Sequence, residues 1–414
     1  MVARQPAPKV PTSVTSLGRA LTLVHTGQAA QRSVMTERLG LTRTATGAVL
    51  RELERLGLVR AEAGMPRQPG SSMGRPSHHV EIHPDAPAAL ALQVQTETLV
   101  IADVHLGGGL GTLTEVPLPR PATPARVLTL AARQLAQQLA ALRTPCAGIG
   151  VALPSAVGDD GTALAAFNLG WPGAVPVRSK LSELLQRQGF SHRVTVGNDA
   201  DLAALAEYRH GAGRGASDLL YLTTGQRGVG GGLVVNGRLH LGSAGYALEV
   251  GHLTVAPGGR PCHCGNAGCL EVEADPAALL AAAGRPTTGS MLTTARDVIS
   301  SAPGDPAART AVLTITERLA VGLASLVNVL NPDRVVLGEL FADVLAVAEP
   351  ELRAGLTRGS FLDQAARVEL LPAGLPRSTL IGAGEIALQP LLDDPRLTLP
   401  ANHRPTRTAA ARRS

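Results

Sequence analysis

The sequence predicts an α/β protein of two or three packed units, the first of which is a winged helix-turn-helix over residues 1–84. Three observations carry this prediction. At 414 residues, the chain is too long for one ordinary domain. Near the N-terminus, apolar residues recur at helical spacing, and two alternating segments follow them. The same region is basic, with eleven Arg and Lys against five Glu in residues 1–84.

Composition limits the classes of protein to which the chain can belong. It is 44% hydrophobic but only 2% aromatic, so its core must consist of Leu, Val and Ala. We expect no membrane span, because we find no run of about 18 apolar residues. The N-terminus has no apolar segment of the kind that directs secretion, which predicts a cytoplasmic location. A basic N-terminal segment on an acidic body favours a nucleic-acid-binding module, and residues 393–414 are expected to form a basic, disordered tail.

The N-terminal apolar pattern predicts three helices. The first carries apolar residues at i, i+3, i+4 and i+7 and ends at Gly27. A second short helix begins at Ser33, a favourable N-cap, and ends at Leu39. Residues 40–42 form a tight turn, and Thr42 caps a third helix that is closed by Gly57. Two helices joined by a short glycine-containing turn have the spacing of a helix-turn-helix.

Two alternating segments, residues 58–60 and 79–82, enclose a loop rich in Gly, Pro and Ser and predict the wing. In this arrangement the N-terminal turn of the third helix enters the major groove, and an arginine of the wing loop can enter the minor groove. The expected DNA contacts are Thr42, Arg43, Thr44, Gly47, Arg51 and Arg75. A three-helix unit without DNA-binding function is the alternative.

Three of the four cysteines lie within eight residues of one another: Cys262, Cys264 and Cys269. Together with His252 they fit a tetrahedral Cys₃His zinc site with no open position, so a structural zinc is expected rather than a catalytic one. His263 lies between two of these ligands and is a rival to His252. Reduced cysteines without a metal are the alternative.

The sequence Glu249-Val250-Gly251-His252, followed by C-x-C-G-x-x-G-C at residues 262–269 and by Glu271, resembles the signature of the ROK family (repressors, open reading frames and sugar kinases). Further matching stretches are residues 196–200, 222–232 and 328–338, so the resemblance covers nearly the whole chain. It implies a two-lobed actin/hexokinase-like (ribonuclease H-like) fold that holds a sugar between its lobes. We expect these lobes at residues 85–195 and 196–392.

The same resemblance implies that five residues bind the sugar hydroxyls: Asn198, Asp199, Glu249, His252 and Glu271. Their chemistry agrees, because each hydroxyl both donates and accepts hydrogen bonds and therefore needs convergent carboxylates and amides. His252 would bind zinc through one ring nitrogen and offer the other to a sugar oxygen.

Kinases of this family begin with a strand that carries Asp-x-Gly-Gly-Thr and use the residue matching Asp199 as the catalytic base. Here residues 93–97 read Gln-Val-Gln-Thr-Glu, which removes both the charge and the backbone access that phosphate needs. A second glycine loop, at residues 228–232, is preceded by Gln226-Arg227, and the family's Gly-Gly near the adenine reads Gly338-Glu339. We therefore expect no catalysis.

Two further departures affect ligand choice. The family's Pro-Gly sugar loop reads Pro154-Ser155, which allows a different sugar. The Ser-Arg pair frequent on the recognition helix reads Gly47-Ala48, so an operator sequence cannot be borrowed from relatives.

The sequence thus predicts a sugar-responsive DNA-binding regulator, expected to act as a repressor. Its expected partners are operator DNA and a sugar or sugar phosphate, and the expected assembly is a homodimer or homotetramer, because one helix-turn-helix reads too few bases. Two alternatives stay open. One is an ATP-dependent sugar kinase with an added DNA-binding domain, and the other is a regulator controlled by a protein partner.

Overall fold

A computed structural model describes residues 14–62, 78–225, 228–287 and 289–398. Most of the predicted wing loop, including Arg75, lies outside these residues, as does the tail from residue 399. The described residues divide into two compact units: those within 1–151, 177–196 and 383–414 form the first, and those within 152–176 and 197–382 form the second. This division crosses the expected lobe boundaries, because residues 152–176 belong to the second unit and residues 383–392 to the first.

The helices, in chain order, are α1 (Ser16–His25), α2 (Arg32–Leu39), α3 (Arg43–Arg55), α4 (Pro124–Ala141), α5 (Val177–Gln186), α6 (Asp199–His210), α7 (Leu270–Glu273), α8 (Pro276–Ala282), α9 (Met291–Ser301), α10 (Pro306–Leu330), α11 (Leu340–Gly359), α12 (Gln364–Arg367), α13 (Ser378–Asp393) and α14 (Pro395–Thr398). The strands are β1 (Val59–Glu62), β2 (His79–Ile82), β3 (Ala88–Val94), β4 (Thr98–His105), β5 (Leu110–Pro117), β6 (Cys146–Leu153), β7 (Ala156–Val157), β8 (Ala163–Ala165), β9 (Val194–Asn198), β10 (Asp218–Thr224), β11 (Val229–Val235), β12 (Arg238–Leu239), β13 (Arg334–Leu337) and β14 (Glu369–Pro372).

The first unit begins with the predicted helix-turn-helix. Gly40 ends α2 in a left-handed conformation, and the Thr42 hydroxyl caps α3 by accepting from the Ala45 amide at 3.2 Å. The expected cap of α2 is wrong: Gln31 holds that position without a side-chain hydrogen bond, and Ser33 is the second residue of the helix. β1 and β2 pair antiparallel, as the wing prediction requires.

The core of the helix-turn-helix includes a helix from the far end of the chain. Leu388, Leu391 and Leu392 of α13 belong to the same buried cluster as Leu21 and Leu53. A backbone hydrogen bond also joins the start of α1 to the end of α13: the Thr15 amide donates to the Asp393 carbonyl at 3.3 Å. A Cβ at Gly18 would overlap the carbonyls of residues 392 and 393, so only glycine allows α1 to approach α13 this closely.

The remainder of the first unit contains a five-stranded sheet in the order β5-β4-β3-β6-β9, in which β3, β4 and β5 run antiparallel. The second unit contains another five-stranded sheet, in the order β12-β11-β10-β13-β14, with β10, β13 and β14 parallel. Helix α6 packs against β10 and β11, and this contact fixes the position of the residues at its N-terminus.

The largest core lies in the second unit around α10 and α11. Among the described residues, α10 is long and apolar enough to cross a membrane by length and composition alone. Of its most apolar window, 61% is buried inside the protein, as in the core helix of a globular unit.

Candidate functional site

The second unit brings the predicted metal ligands together. The donor atoms of His252, Cys262, Cys264 and Cys269 all lie within 4.8 Å of one another. Cys262 Sγ lies 3.7 Å from His252 Nδ1, and Cys264 Sγ lies 3.7 Å from Cys269 Sγ. The sulfur–sulfur distance is too long for a disulfide. It matches the edge of a tetrahedron with zinc–sulfur bonds of about 2.3 Å.

Local backbone geometry forms this loop. The Cys262 amide donates to the Asn266 carbonyl at 2.8 Å, which closes a tight turn around Cys264. Gly268 has a φ of 74°, and a Cβ there would overlap the Ala256 carbonyl. Because only glycine fits at this position, the chain can return and place Cys269 opposite Cys264.

The pKa values of the three thiols explain why the loop suits a cation. Burial, together with the two neighbouring thiols, raises the pKa of Cys269 to about 12. Burial also raises the pKa of Cys262, whereas the backbone amide of Asn266 lowers the pKa of Cys264. Three neighbouring thiolates would therefore be costly without a positive charge between them.

His263, the rival ligand, faces away from the cysteines. Its Nδ1 lies 3.5 Å from Glu271 Oε1, and its ring centroid lies 5.1 Å from that of Phe167. His252 presents Nδ1 to Cys262 and places Nε2 3.7 Å from Glu271 Oε2. The thiol cluster and the predicted sugar-binding carboxylate therefore meet at His252.

Glu271 lies in a confined space made by glycines. A Cβ at Gly228 would lie 3.2 Å from Glu271 Oε1, and one at Gly251 would lie 3.2 Å from Glu271 Oε2. Asn168, which the sequence did not single out, belongs to the same cluster, because its Nδ2 would lie 3.5 Å from the Cβ at Gly228. It follows Phe167 in a short 3₁₀ helix, and no motif in the sequence marks it.

Asn198 and Asp199 begin α6. The Asn198 side-chain oxygen accepts from the amides of Ala200 and Asp201 at 2.8 and 3.1 Å, and its Nδ2 donates to the Ser155 carbonyl at 3.1 Å. Much of the hydrogen-bonding capacity of Asn198 is therefore already used to fix the helix start. Asp199 Oδ1 accepts from the Ala200 amide at 2.8 Å.

The carboxyl groups around α6 are raised in pKa. Burial, together with the nearby Glu249 carboxylate, raises the pKa of Asp199 to about 6. Burial also raises the pKa of Glu249 and of Glu271. Desolvated carboxyls of this kind are typical of a ligand site, where hydroxyls replace the missing water.

Asp201 was missed by sequence reasoning. It is 4% exposed, and its Oδ1 has no hydrogen-bond partner among the described residues. Burial, with the charges of Glu249 and Asp199, raises its pKa to about 8. Its place two residues after Asp199 is the only signal that could have indicated it.

The residues that correspond to the kinase phosphate turn are engaged with one another in the first unit. The Gln95 amide donates to the Thr98 carbonyl at 2.9 Å, and the Thr98 hydroxyl donates to Gln95 Oε1 at 2.9 Å. Of the other departures, Gln226 and Arg227 lie outside the described residues. Glu339 has a φ of 49° and a ψ of −130°, a conformation normally reserved for glycine, and Arg296 Nη2 binds its carboxylate at 2.7 Å.

The predicted DNA-contacting residues of α3 divide into two groups. Thr42, Arg43, Thr44 and Arg51 are exposed. The expectation that Gly47 faces outward is corrected, because Gly47 is buried beneath the Arg32 side chain.

Comparison with known proteins identifies the family. The ROK family profile matches residues 105–389. A xylose repressor from Caldicellulosiruptor bescii is 31% identical over 262 residues, which cover 60% of this chain and 64% of the repressor. A glucokinase from Halalkalibacterium halodurans is 34% identical over 267 residues, covering 60% of this chain and 79% of the kinase. The match therefore spans somewhat less than two thirds of the xylose repressor.

Solved structures agree with the predicted fold. A ROK family transcriptional regulator, described as a homologue of the E. coli MLC protein, superposes with a TM-score of 0.72 at 22% identity, covering 91% of this chain and 96% of that one. A ROK glucokinase from Streptomyces griseus, in complex with glucose and AMPPNP, gives a TM-score of 0.62 at 27% identity and covers 73% and 99%. The predicted mixed α/β, sugar-kinase-like fold is thereby confirmed, and the chain belongs to the ROK family.

Proposed function

We propose that this chain is a sugar-responsive DNA-binding repressor of carbohydrate genes rather than a sugar kinase. The observation that carries the proposal is the winged helix-turn-helix at the start of a ROK chain, packed against α13 of the same chain. The coverage of the two solved structures supports it: the homologue of the MLC protein covers 91% of this chain, whereas the Streptomyces griseus glucokinase covers 73%.

The DNA-binding part of the proposal rests on α3. Arg43 and Arg51 project from it, and no carboxylate pairs with either in the part of the chain that the structure describes. A helix with free guanidinium groups suits the major groove, where arginine contacts base edges and phosphates. One such helix reads few bases, so a homodimer or larger assembly would present two of them to half-sites about 34–36 Å apart.

The sugar-binding part rests on the polar cluster of the second unit. Asp199, Glu249 and Glu271 supply acceptors, and Asn198, Asn168 and His252 supply amide or imidazole groups. Such a mixture satisfies hydroxyls that both donate and accept. Xylose repressors and glucokinases among the relatives favour a small carbohydrate as the ligand.

The donor set of the thiol loop fits zinc, which His252, Cys262, Cys264 and Cys269 would hold. When bound, zinc would supply positive charge and a fixed cross-link, and with all four positions filled by protein it would offer no place for a substrate. His252 and Glu271 would then be held in one arrangement, which prepares the sugar site before the ligand binds.

Coupling between sugar and DNA is assigned to α13. Its first residues contact α6 in the second unit: the Thr379 hydroxyl donates to the Asp199 carbonyl at 3.3 Å, and Gly382 packs against the Leu202 backbone. Its later residues, from 383, belong to the first unit, where Leu388 and Leu391 pack into the helix-turn-helix core. A sugar that displaces Asp199 would thereby alter the support of α1.

The kinase alternative is favoured by the glucokinase relatives. Against it, the turn after β3 lacks glycines and uses its own amide in an internal hydrogen bond. The test is direct. Purified protein, tested with ATP and any sugar that stabilises it thermally, should give no turnover above a no-protein control. Turnover that Asp199→Asn abolishes would establish the kinase.

The repressor itself is tested by selecting a duplex from a random-sequence library with the purified full-length protein and then adding free and phosphorylated sugars. We expect one duplex family to be enriched and at least one sugar to release it. If no duplex is enriched, the proposal is wrong. If a duplex is enriched but no sugar affects binding, control by a protein partner becomes the better explanation.

A further inference from the structure

Arg32, the first residue of α2, reaches across to α3. Its backbone amide is fixed by the His78 carbonyl at 3.1 Å, and its own carbonyl accepts from the Thr36 hydroxyl at 2.8 Å. Its Nη2 donates to the Arg43 carbonyl at 2.7 Å, which places the guanidinium on the first turns of α3. The backbone of Arg32 therefore belongs to one helix and its charge to the surface of another.

Gly47 makes room for this guanidinium. A Cβ at Gly47 would lie 2.7 Å from Arg32 Nη2, 3.3 Å from Arg32 Cζ and 3.4 Å from Arg51 Nη1. Glycine inside a helix costs about 1 kcal/mol relative to alanine, so a glycine here calls for a local reason. The approach of the Arg32 side chain supplies that reason.

The position of Gly47 on α3 is informative. Residues 43, 47 and 51 are spaced i, i+4 and i+8 and therefore lie along one stripe of the helix. Arg43 and Arg51 occupy its ends, and the Arg32 guanidinium lies over the gap between them. Three guanidinium groups thus line one face of α3, although α3 itself supplies only two.

These three arginines differ from Arg55 and Arg60 in charge pairing. Arg55 is bound to Glu52, and Arg60 is bound to Glu81. Among the residues that the structure describes, no carboxylate forms an ion pair with Arg32, Arg43 or Arg51. Like charges gathered without a counter-charge repel one another, and a polyanion laid along the stripe would remove that repulsion.

We propose that Arg32 is a DNA-contacting residue and that Gly47 is the gap through which its guanidinium reaches the DNA-facing stripe of α3. This inference rests on the proposed DNA-binding function. The donor fork of Arg32 suits two acceptor arrangements on DNA, the guanine edge in the major groove and the backbone phosphate. In either case Arg32 supplies the arginine contact that the Gly47-Ala48 sequence lacks.

The test uses the duplex selected by the wild-type protein and a scrambled duplex of equal length. Arg32→Ala should weaken binding to the selected duplex about tenfold or more. It should also reduce the slope of log affinity against log salt concentration by about one. Arg38→Ala is the matched control, since it removes the same charge from the same helix, where Arg38 contacts only the Gln28 side chain at 3.2 Å among the described contacts. It should change affinity less than about twofold.

Gly47→Ala gives the sharper readout. The atoms that its Cβ would meet are the mobile ends of two arginines, so the fold should persist and α3 should gain helix propensity. We expect unchanged or higher thermal stability together with a several-fold loss of DNA affinity. In an Arg32→Ala background, Gly47→Ala should have little further effect on affinity, because the side chain that it displaces is already absent and Arg51 Nη1, at 3.4 Å, is at an ordinary contact distance.

Arg32→Lys separates the two acceptors. If Arg32 contacts a base edge, Arg32→Lys should weaken binding to the selected duplex and leave binding to the scrambled duplex unchanged. If Arg32 contacts phosphate, Arg32→Lys should largely retain the affinity for both. Wild-type affinity in Arg32→Ala, or additive effects of Gly47→Ala and Arg32→Ala, would overturn the inference while leaving the proposed function intact. If the wild type selects no duplex, both are wrong.

Discussion

The thiol loop and the helix-turn-helix are held together by different forces. In the loop, Cys264, His263 and Arg260 are exposed, so few apolar contacts oppose its unfolding. The helix-turn-helix buries Leu21, Met35, Leu53 and Leu58 almost completely and adds leucines from α13. We therefore expect the loop to depend on a bound metal and the helix-turn-helix to depend on apolar burial. Substitutions at exposed positions should accordingly lower stability strongly in the thiol loop and only slightly in the helix-turn-helix.

The largest effect is expected from Cys264→Ser. Because Cys264 is exposed, its substitution removes a predicted metal ligand and almost no apolar burial. We expect loss of stoichiometric zinc, a clear decrease in the free energy of unfolding, and loss of the sugar response. Elemental analysis and denaturant unfolding measure the first two. Cys146→Ser is the matched control and should keep its zinc, and full zinc content in Cys264→Ser would show that the ligand assignment is wrong.

Glu249→Gln tests the sugar site next to that loop. The change keeps the volume and removes a charged acceptor, so we expect sugar affinity to fall by about 1.5–3 kcal/mol. DNA affinity in the absence of sugar should stay within about twofold, because Glu249 lies in the second unit. Calorimetric sugar titration and duplex binding measure the two. Equal losses of both affinities would indicate a folding defect instead of a sugar contact.

Arg43→Ala tests the helix-turn-helix as a reading surface. If Arg43 contacts a base, DNA affinity should fall by about 1–3 kcal/mol, and if it contacts only phosphate the loss should be smaller. Its side chain contributes no apolar core, so thermal stability should be nearly unchanged. Undiminished affinity for the selected duplex would remove Arg43 from the interface.

The smallest effect is expected from Asp201→Asn. Burial raises the pKa of Asp201 from 3.8 to about 8, so the folded state binds its proton more tightly than the unfolded chain does. The associated stability is complete below about pH 4 and is lost as the pH rises through about 8. Asp201→Asn should remove this loss. The stability of the variant relative to the wild type should therefore be about 1 kcal/mol or more higher at pH 8 than at pH 5. Parallel pH profiles of the two proteins would contradict the burial of an ionisable carboxyl there.

The same contrast explains what could be predicted from the sequence. The predicted metal ligands lie between residues 252 and 269, and the caps Gly40 and Thr42 act on adjacent residues, so their geometry follows from local spacing. Gly47 and Asp201 depend on which side chain another element brings near them, and spacing does not record that. Likewise, α13 has the apolar pattern of any core helix, and only the folded chain shows that it packs against α1.

The central claim is that sugar and DNA binding are energetically coupled. It is tested most directly by titrating the releasing sugar into the free protein and into the protein saturated with its selected duplex. Because linkage is reciprocal, the duplex should weaken sugar binding by the same factor by which sugar weakens duplex binding, and five- to 150-fold is the usual range, corresponding to about 1–3 kcal/mol. Equal sugar affinity in the two titrations would contradict the account, because a ligand that does not distinguish the two states cannot release the DNA.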